Sequence, residues 1–119
     1  MGEAHLIDTS ACSKYIQQLL PEVAADLMDR VVDSSCQMSV ITRIELLSWI
    51  TGDRTLDEDI REFISRSTST DLSEPIIQQT VKLRRHYRGL KLPDAIIAAT
   101  AIVNGFTLLS TNDSDFSPE

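Results

Sequence analysis

A chain of 119 residues with 42% hydrophobic content is long enough for one domain with a substantial core and too short for two. A net charge of −7 and a pI of about 4.7 weigh against a protein that grips nucleic acid through a broadly basic surface. No charged-then-apolar leader or long apolar run marks a membrane segment, and Cys12 and Cys36 sit in apolar contexts without C-x-x-C spacing, so a cytoplasmic protein with buried free thiols is expected.

Ala4 to Ile7 is short and apolar and stops at Asp8-Thr9-Ser10, the pattern of a strand followed by a turn and a helix cap. Cys12, Tyr15, Ile16, Leu19 and Leu20 recur at helical spacing. Pro21 then opens a second helix carrying Val23, Ala24, Leu27, Met28 and Val31, so a helical hairpin is predicted. Gln37 to Ile41 reads as a second strand, after which Thr42 and Glu45 have the spacing of a capping box. Apolar Ile44, Leu46 and Leu47 around Glu45 predict a partly desolvated, sheet-facing carboxylate, which a cation would stabilise. Trp49 and Ile50 near the end of this helix suit either the core or a subunit contact.

Gly52 is expected to end the third helix. Leu56, Ile60, Phe63 and Ile64 mark a fourth whose outer face is acidic. Ser67 to Leu72 suits a short third strand, and Ser73 and Pro75 begin a fifth helix that Gly89 closes. Lys91 to Gly105 is a nearly all-apolar helix with Pro93 and Asp94 in its first turn and several alanines that permit close approach to a sheet. Phe106 to Ser110 is a fourth strand ending at Thr111-Asn112-Asp113. Strand, two helices, strand, two helices, strand, two helices, strand is the order of a parallel α/β sandwich.

Asp8, Glu45, Asp94 and Asp113 each fall where a strand ends or a helix begins, positions that share one crevice in an open α/β sheet. Three of them also have simpler explanations, Glu45 as a capping partner, Asp94 as a helix-dipole partner and Asp113, like Asp115, as a turn former. Taken together they predict one carboxylate site, and hard oxygen ligands without a His or Cys set favour Mg²⁺ or Mn²⁺ and phosphate-ester chemistry. A bound ion would offset these negative charges. Lys82, Arg84, Arg85, His86, Arg88 and Lys91 form a basic cluster just before Asp94, read either as a local nucleic-acid contact or as a solvated helix face.

Four segments, LIDTS (Leu6–Ser10), ITRIELL (Ile41–Leu47), LPDAIIAATA (Leu92–Ala101) and LLSTNDSDF (Leu108–Phe116), resemble in order and spacing the PIN-domain ribonucleases, particularly the VapC-type toxins. The resemblance spans essentially the whole chain and implies a single PIN-like domain over residues 1–119, a three-layer sandwich around a central parallel sheet. Many members carry a further short helix and edge strand beyond the position of Ser117-Pro118-Glu119, so four or five strands are expected. The resemblance also implies a Mg²⁺- or Mn²⁺-dependent endoribonuclease with Asp8, Glu45, Asp94 and Asp113 as metal ligands and catalytic acids. Asp115 is the alternative to Asp113, and Ser10 and Thr111 support the site. Arg84, Arg85, Arg88 and Lys91 are the candidate RNA contacts.

By the same resemblance an external water attacks the RNA phosphodiester, leaving a 5′-phosphate and a 3′-hydroxyl. A toxin of this type implies a cognate antitoxin, with an Arg-bearing tail suited to the groove, and a homodimer. His5 and His86 stand in no motif that would serve a histidine-based ribonuclease. One alternative is a haloacid-dehalogenase-like phosphatase, which needs a second acid where Ser10 stands. The other is a catalytically silent PIN-like module that binds RNA or protein, a reading that the presence of all four acids opposes.

Overall fold

The computed structural model describes residues 4–111, and the elements along them follow the predicted order. Strand β1 (His5–Ile7) is followed by α1 (Thr9–Ile16) and α2 (Glu22–Ser35), and β2 (Cys36–Ser39) by α3 (Val40–Ser48) and α4 (Arg54–Ser65). Then come β3 (Thr68–Thr70), α5 (Glu74–His86), α6 (Leu92–Asn104) and β4 (Thr107–Leu109). The strands form one parallel sheet in the order β3-β2-β1-β4, which gives four strands among the described residues.

Successive side chains of a strand point to opposite faces, and β1 uses both. Ile7 packs with Ala11, Cys12, Met28, Met38 and Phe63, the core beneath α1, α2 and α4. Leu6 packs with Ile97 and Ala101 of α6, flanked by Phe106 and Leu108. Leu6 and Ile7 are both wholly buried, and burial of each side chain stabilises the fold by about 1.5–3 kcal/mol. A strand covered on both faces reads as consecutive apolar residues, which Leu6 and Ile7 supply after the half-buried His5.

Several element boundaries differ from expectation: β3 and β4 are shorter than predicted, and α5 ends at His86, capped by Tyr87, so Gly89 lies in the turn beyond it. Helix α1 stops at Ile16 because Gln18 takes a left-handed φ of 60° and Pro21 follows, so Leu19 lies outside the helix and is exposed. Strand β2 stops at Ser39, whose hydroxyl accepts the Ile41 N–H at 3.1 Å and caps α3; the capping box of Thr42 with Glu45 does not form. Helix α3 ends at Ser48, so Gly52, with φ of 73°, lies in the following loop, where Asp53 caps α4 by accepting the Thr55 and Leu56 N–H groups. The alanines of α6 serve a helix as well as the sheet: Ala99 packs with Ile96 and Ile76 of α5.

Cys12 and Cys36 are buried free thiols, as predicted. Burial pushes the Cys12 thiol well up, with the charges of Cys36 and Asp8 adding; burial also raises Cys36, against the opposing pull of the Ser67 hydrogen bond and Arg66. Trp49 is half-buried against the main core, whereas Ile50 is 94% exposed. Among the described residues, no helix is long and apolar enough to cross a membrane.

Candidate active site

Strands β2 and β3 lie on one side of β1 and β4 on the other, so the chain reverses its direction of travel across the sheet at the β1–β4 border. In parallel sheets a crevice opens at the carboxyl ends of the strands at such a border. Ile7 is in register with Leu109, and the Asp8 N–H continues the ladder to the Leu109 carbonyl at 3.0 Å. Asp8 is therefore fixed at the edge of the sheet by the ladder itself.

Its side chain is fixed as well. Asp8 is the N-cap of α1, its Oδ1 accepting the Ala11 N–H at 2.8 Å and the Ser10 hydroxyl at 3.4 Å. At 4% exposure this carboxylate is buried, and the cap supplies hydrogen-bond donors in place of water. Ser10 Oγ also lies 2.7 Å from Thr111 Oγ1, a hydrogen bond between the start of α1 and the residues after β4. The two residues assigned a supporting role thus join the two sides of the strand border.

Glu45 comes from the middle of α3, not its first turn, and is exposed rather than desolvated. Its placement depends on α1: the Thr9 hydroxyl donates to Glu45 Oε1 at 2.5 Å and lies 3.1 Å from the hydroxyl of Thr42, which is wholly buried one helical turn before Glu45. Asp94 stands in the first turn of α6, where Pro93 presets the backbone, and is half-buried. Asp8, Glu45 and Asp94, with Thr9, Ser10, Ser13, Lys91, Pro93 and Ile97, line one cleft of about 370 Å³. Concavities of comparable volume lie beside Trp49, about 350 Å³, and beside Tyr15, about 420 Å³, the latter lined by Asp29, Asp33, Asp59 and Glu62 with Arg66, so neither size nor acidity alone distinguishes the cleft, whereas its place at the carboxyl end of β1 does.

Three of the four predicted acids thus line one cleft, while Asp113 and its alternative Asp115 lie outside the described residues. The donors suit a hard divalent cation, being carboxylate and hydroxyl oxygens with no sulfur or imidazole among the residues lining the cleft. Their spacing is open: among the described residues, no group of three or more His, Cys, Asp or Glu side chains is close enough to hold an ion together. Of the predicted RNA contacts, Lys91 lines the cleft; Arg84, Arg85 and Arg88 are exposed and do not line it. Thr9 is the residue that sequence reasoning missed as part of the site. The signal for it was present in its position, next to the first acid and at the first position of α1.

The PIN domain family matches residues 5–117 of the chain. No curated protein matches it. Among solved structures, a toxin–antitoxin complex from Klebsiella pneumoniae is 28% identical, with a TM-score of 0.77, over 96% of this chain and 91% of that one. DNA-bound VapBC from Salmonella typhimurium aligns over 97% of this chain and 91% of its own at 21% identity and a TM-score of 0.79. VapBC2 from Rickettsia felis, bound to a promoter DNA fragment, aligns over 94% and 90% at 20% identity and a TM-score of 0.78.

Proposed function

The chain belongs to the PIN domain family, and from that membership we propose that it is a metal-dependent endoribonuclease, the toxin of a toxin–antitoxin pair. One observation carries the reading: Asp8, Glu45 and Asp94, from three separate parts of the sequence, line a single cleft at the strand border. Carboxylates that share one cleft repel one another, and a divalent ion would relieve that repulsion. Asp8, Glu45 and Asp94 would hold Mg²⁺ or Mn²⁺, with Asp113 or Asp115 as the fourth ligand. When bound, such an ion would supply Lewis acidity and charge balance at the scissile phosphate.

The chain's own residues supply the remaining steps. Lys91, on the cleft wall, offers a positive charge to a phosphate oxygen of the substrate. Asp8 is held against rotation by its helix cap, Glu45 by the Thr9 hydroxyl, and the Ser10–Thr111 hydrogen bond keeps the cleft's two sides in register. Carboxylates fixed before substrate arrives need no reorganisation as charge develops. The toxin–antitoxin complexes among the structural relatives support a cognate antitoxin for this chain, which would close the cleft with an Arg-bearing segment. A homodimer in the cytoplasm completes the proposal.

The test is cleavage of single-stranded and structured RNA with Mg²⁺, Mn²⁺ or EDTA, comparing wild type with Asp8→Asn and Asp94→Asn. Metal-dependent cleavage, lost in both variants, is expected; cleavage that survives chelation or both substitutions sinks the proposal. The open spacing of the described acids favours one rival, a PIN-like module that binds without cutting. Calorimetric titration with Mg²⁺ separates the two, since the rival predicts no heat of binding.

A further inference from the structure

Positive charge in this acidic chain is segregated. Residues 75–93 contain no Asp or Glu, yet hold Lys82, Arg84, Arg85, Arg88 and Lys91 out of 11 Lys and Arg in all. All five of those side chains are exposed. Helix α6 leads into β4 of a parallel sheet, so its N-terminus lies at the carboxyl edge where the cleft opens. Helix α5 packs along α6 through Ile76, Ile96 and Ala99 and reaches it by the short turn 87–91, so the basic end of α5 comes to the same edge. Arg84 Nε donates to the Leu90 carbonyl at 3.4 Å, tying the helix end to the turn, and Lys91 at the end of that turn lines the cleft.

An aromatic pair sits within this basic stretch. The rings of His86 and Tyr87 meet edge to face, 4.5 Å between centroids and 85° between planes, while Tyr87 remains 45% exposed. Basic residues at a helix C-terminus complement its dipole, and this accounts for Arg84, Arg85 and His86 in the last turn of α5. It does not account for Arg88 and Lys91 beyond the helix, nor for an exposed ring braced between cations.

We propose that the end of α5 and the turn 87–91 form a track for single-stranded RNA, which Arg85 and Arg88 hold by its phosphates, Tyr87 holds by stacking on a base, and Lys91 passes into the cleft. The inference rests on the ribonuclease reading above. Cations that follow a backbone beside an aromatic platform are the means by which proteins hold unpaired nucleic acid, and a stacking ring requires a base that is not already paired in a duplex. An acidic protein partner would satisfy the cations but leave the Tyr87 ring without a function.

The test measures affinity of the full chain for a labelled single-stranded RNA in EDTA across a range of NaCl, and KM and kcat with Mg²⁺. Arg85→Ala and Arg88→Ala are each expected to flatten the salt dependence by about one unit of slope. Tyr87→Leu is expected to weaken binding roughly tenfold. Tyr87→Phe and Arg88→Lys should restore most of the loss, and the losses should fall on KM with kcat and melting temperature unchanged. If wild type binds and cleaves RNA while these variants match it in both affinity and KM, the track is wrong and the nuclease stands. If wild type neither binds nor cleaves RNA, both readings fall. Variants that lose only affinity for an acidic peptide assign the patch to a protein partner and overturn the proposal.

Discussion

A single side chain, Asp8, has two roles that chemistry can separate. It caps α1 through the Ala11 N–H and it faces the cleft. Asparagine keeps a carbonyl oxygen that can cap but lacks the charge that would bind a cation. Asp8→Asn should therefore abolish RNA cleavage with little change in urea unfolding, whereas Asp8→Ala should lose cleavage and also about 1 kcal/mol of stability. Full cleavage by Asp8→Asn would reduce Asp8 to a cap. Sequence reasoning located this residue at the end of β1 because it closes an apolar run, and Asp94 in the first turn of α6 because Pro93 marks the helix start beside it. It misread the surroundings of Glu45, whose partner Thr9 is 36 residues away, a separation that no local periodicity encodes.

At the scale of elements, order and type were legible, and the boundaries were lost where two local rules compete. Val40, Ile41 and Thr42 are β-branched and extend the predicted strand, but the Ser39 hydroxyl caps α3 and ends β2 first. Leu19 and Leu20 continue the spacing of α1 beyond the point where Gln18 turns left-handed. A glycine at the other end of the chain shows the same backbone constraint satisfied. Gly105 ends α6 at φ of 68° with nothing within 4 Å of an added Cβ, so Gly105→Ala should cost about 1 kcal/mol from backbone strain alone, read as a lower urea midpoint at unchanged slope. Between α1 and α2 the link is Tyr15, whose hydroxyl donates to Asp29 Oδ1 at 2.6 Å. Burial, then this hydrogen bond, pushes Tyr15 from its ordinary 10.0 up to about 12. Across that window the folded protein retains a proton that the unfolded chain has lost, so the contribution is full below pH 10 and is lost as pH rises towards 12. Tyr15→Phe should remove this part of the alkaline decline in unfolding free energy; an identical decline in the variant would show that the hydrogen bond is not coupled to folding.

For the molecule as a whole, the imbalance of 18 acidic against 11 basic residues makes its own stability a reporter of the proposed site. The acids of the cleft are brought together only by folding, since they come from the end of β1, the middle of α3 and the start of α6. An ion that binds them in the native state and not in the unfolded chain stabilises by mass action, about 2.7 kcal/mol at a concentration one hundredfold above its Kd. In a domain of this length that corresponds to a rise in melting temperature of roughly 10–20 °C. General screening of an acidic surface also raises stability, but it depends on ionic strength and not on the identity of the cation. Mg²⁺ should therefore stabilise well beyond NaCl of equal ionic strength, and Asp94→Asn should lose that excess while retaining the common screening response. An excess that persists in Asp94→Asn would place the ion elsewhere on the acidic surface. If Mg²⁺ and NaCl stabilise equally at matched ionic strength, the gathered carboxylates hold no specific ion.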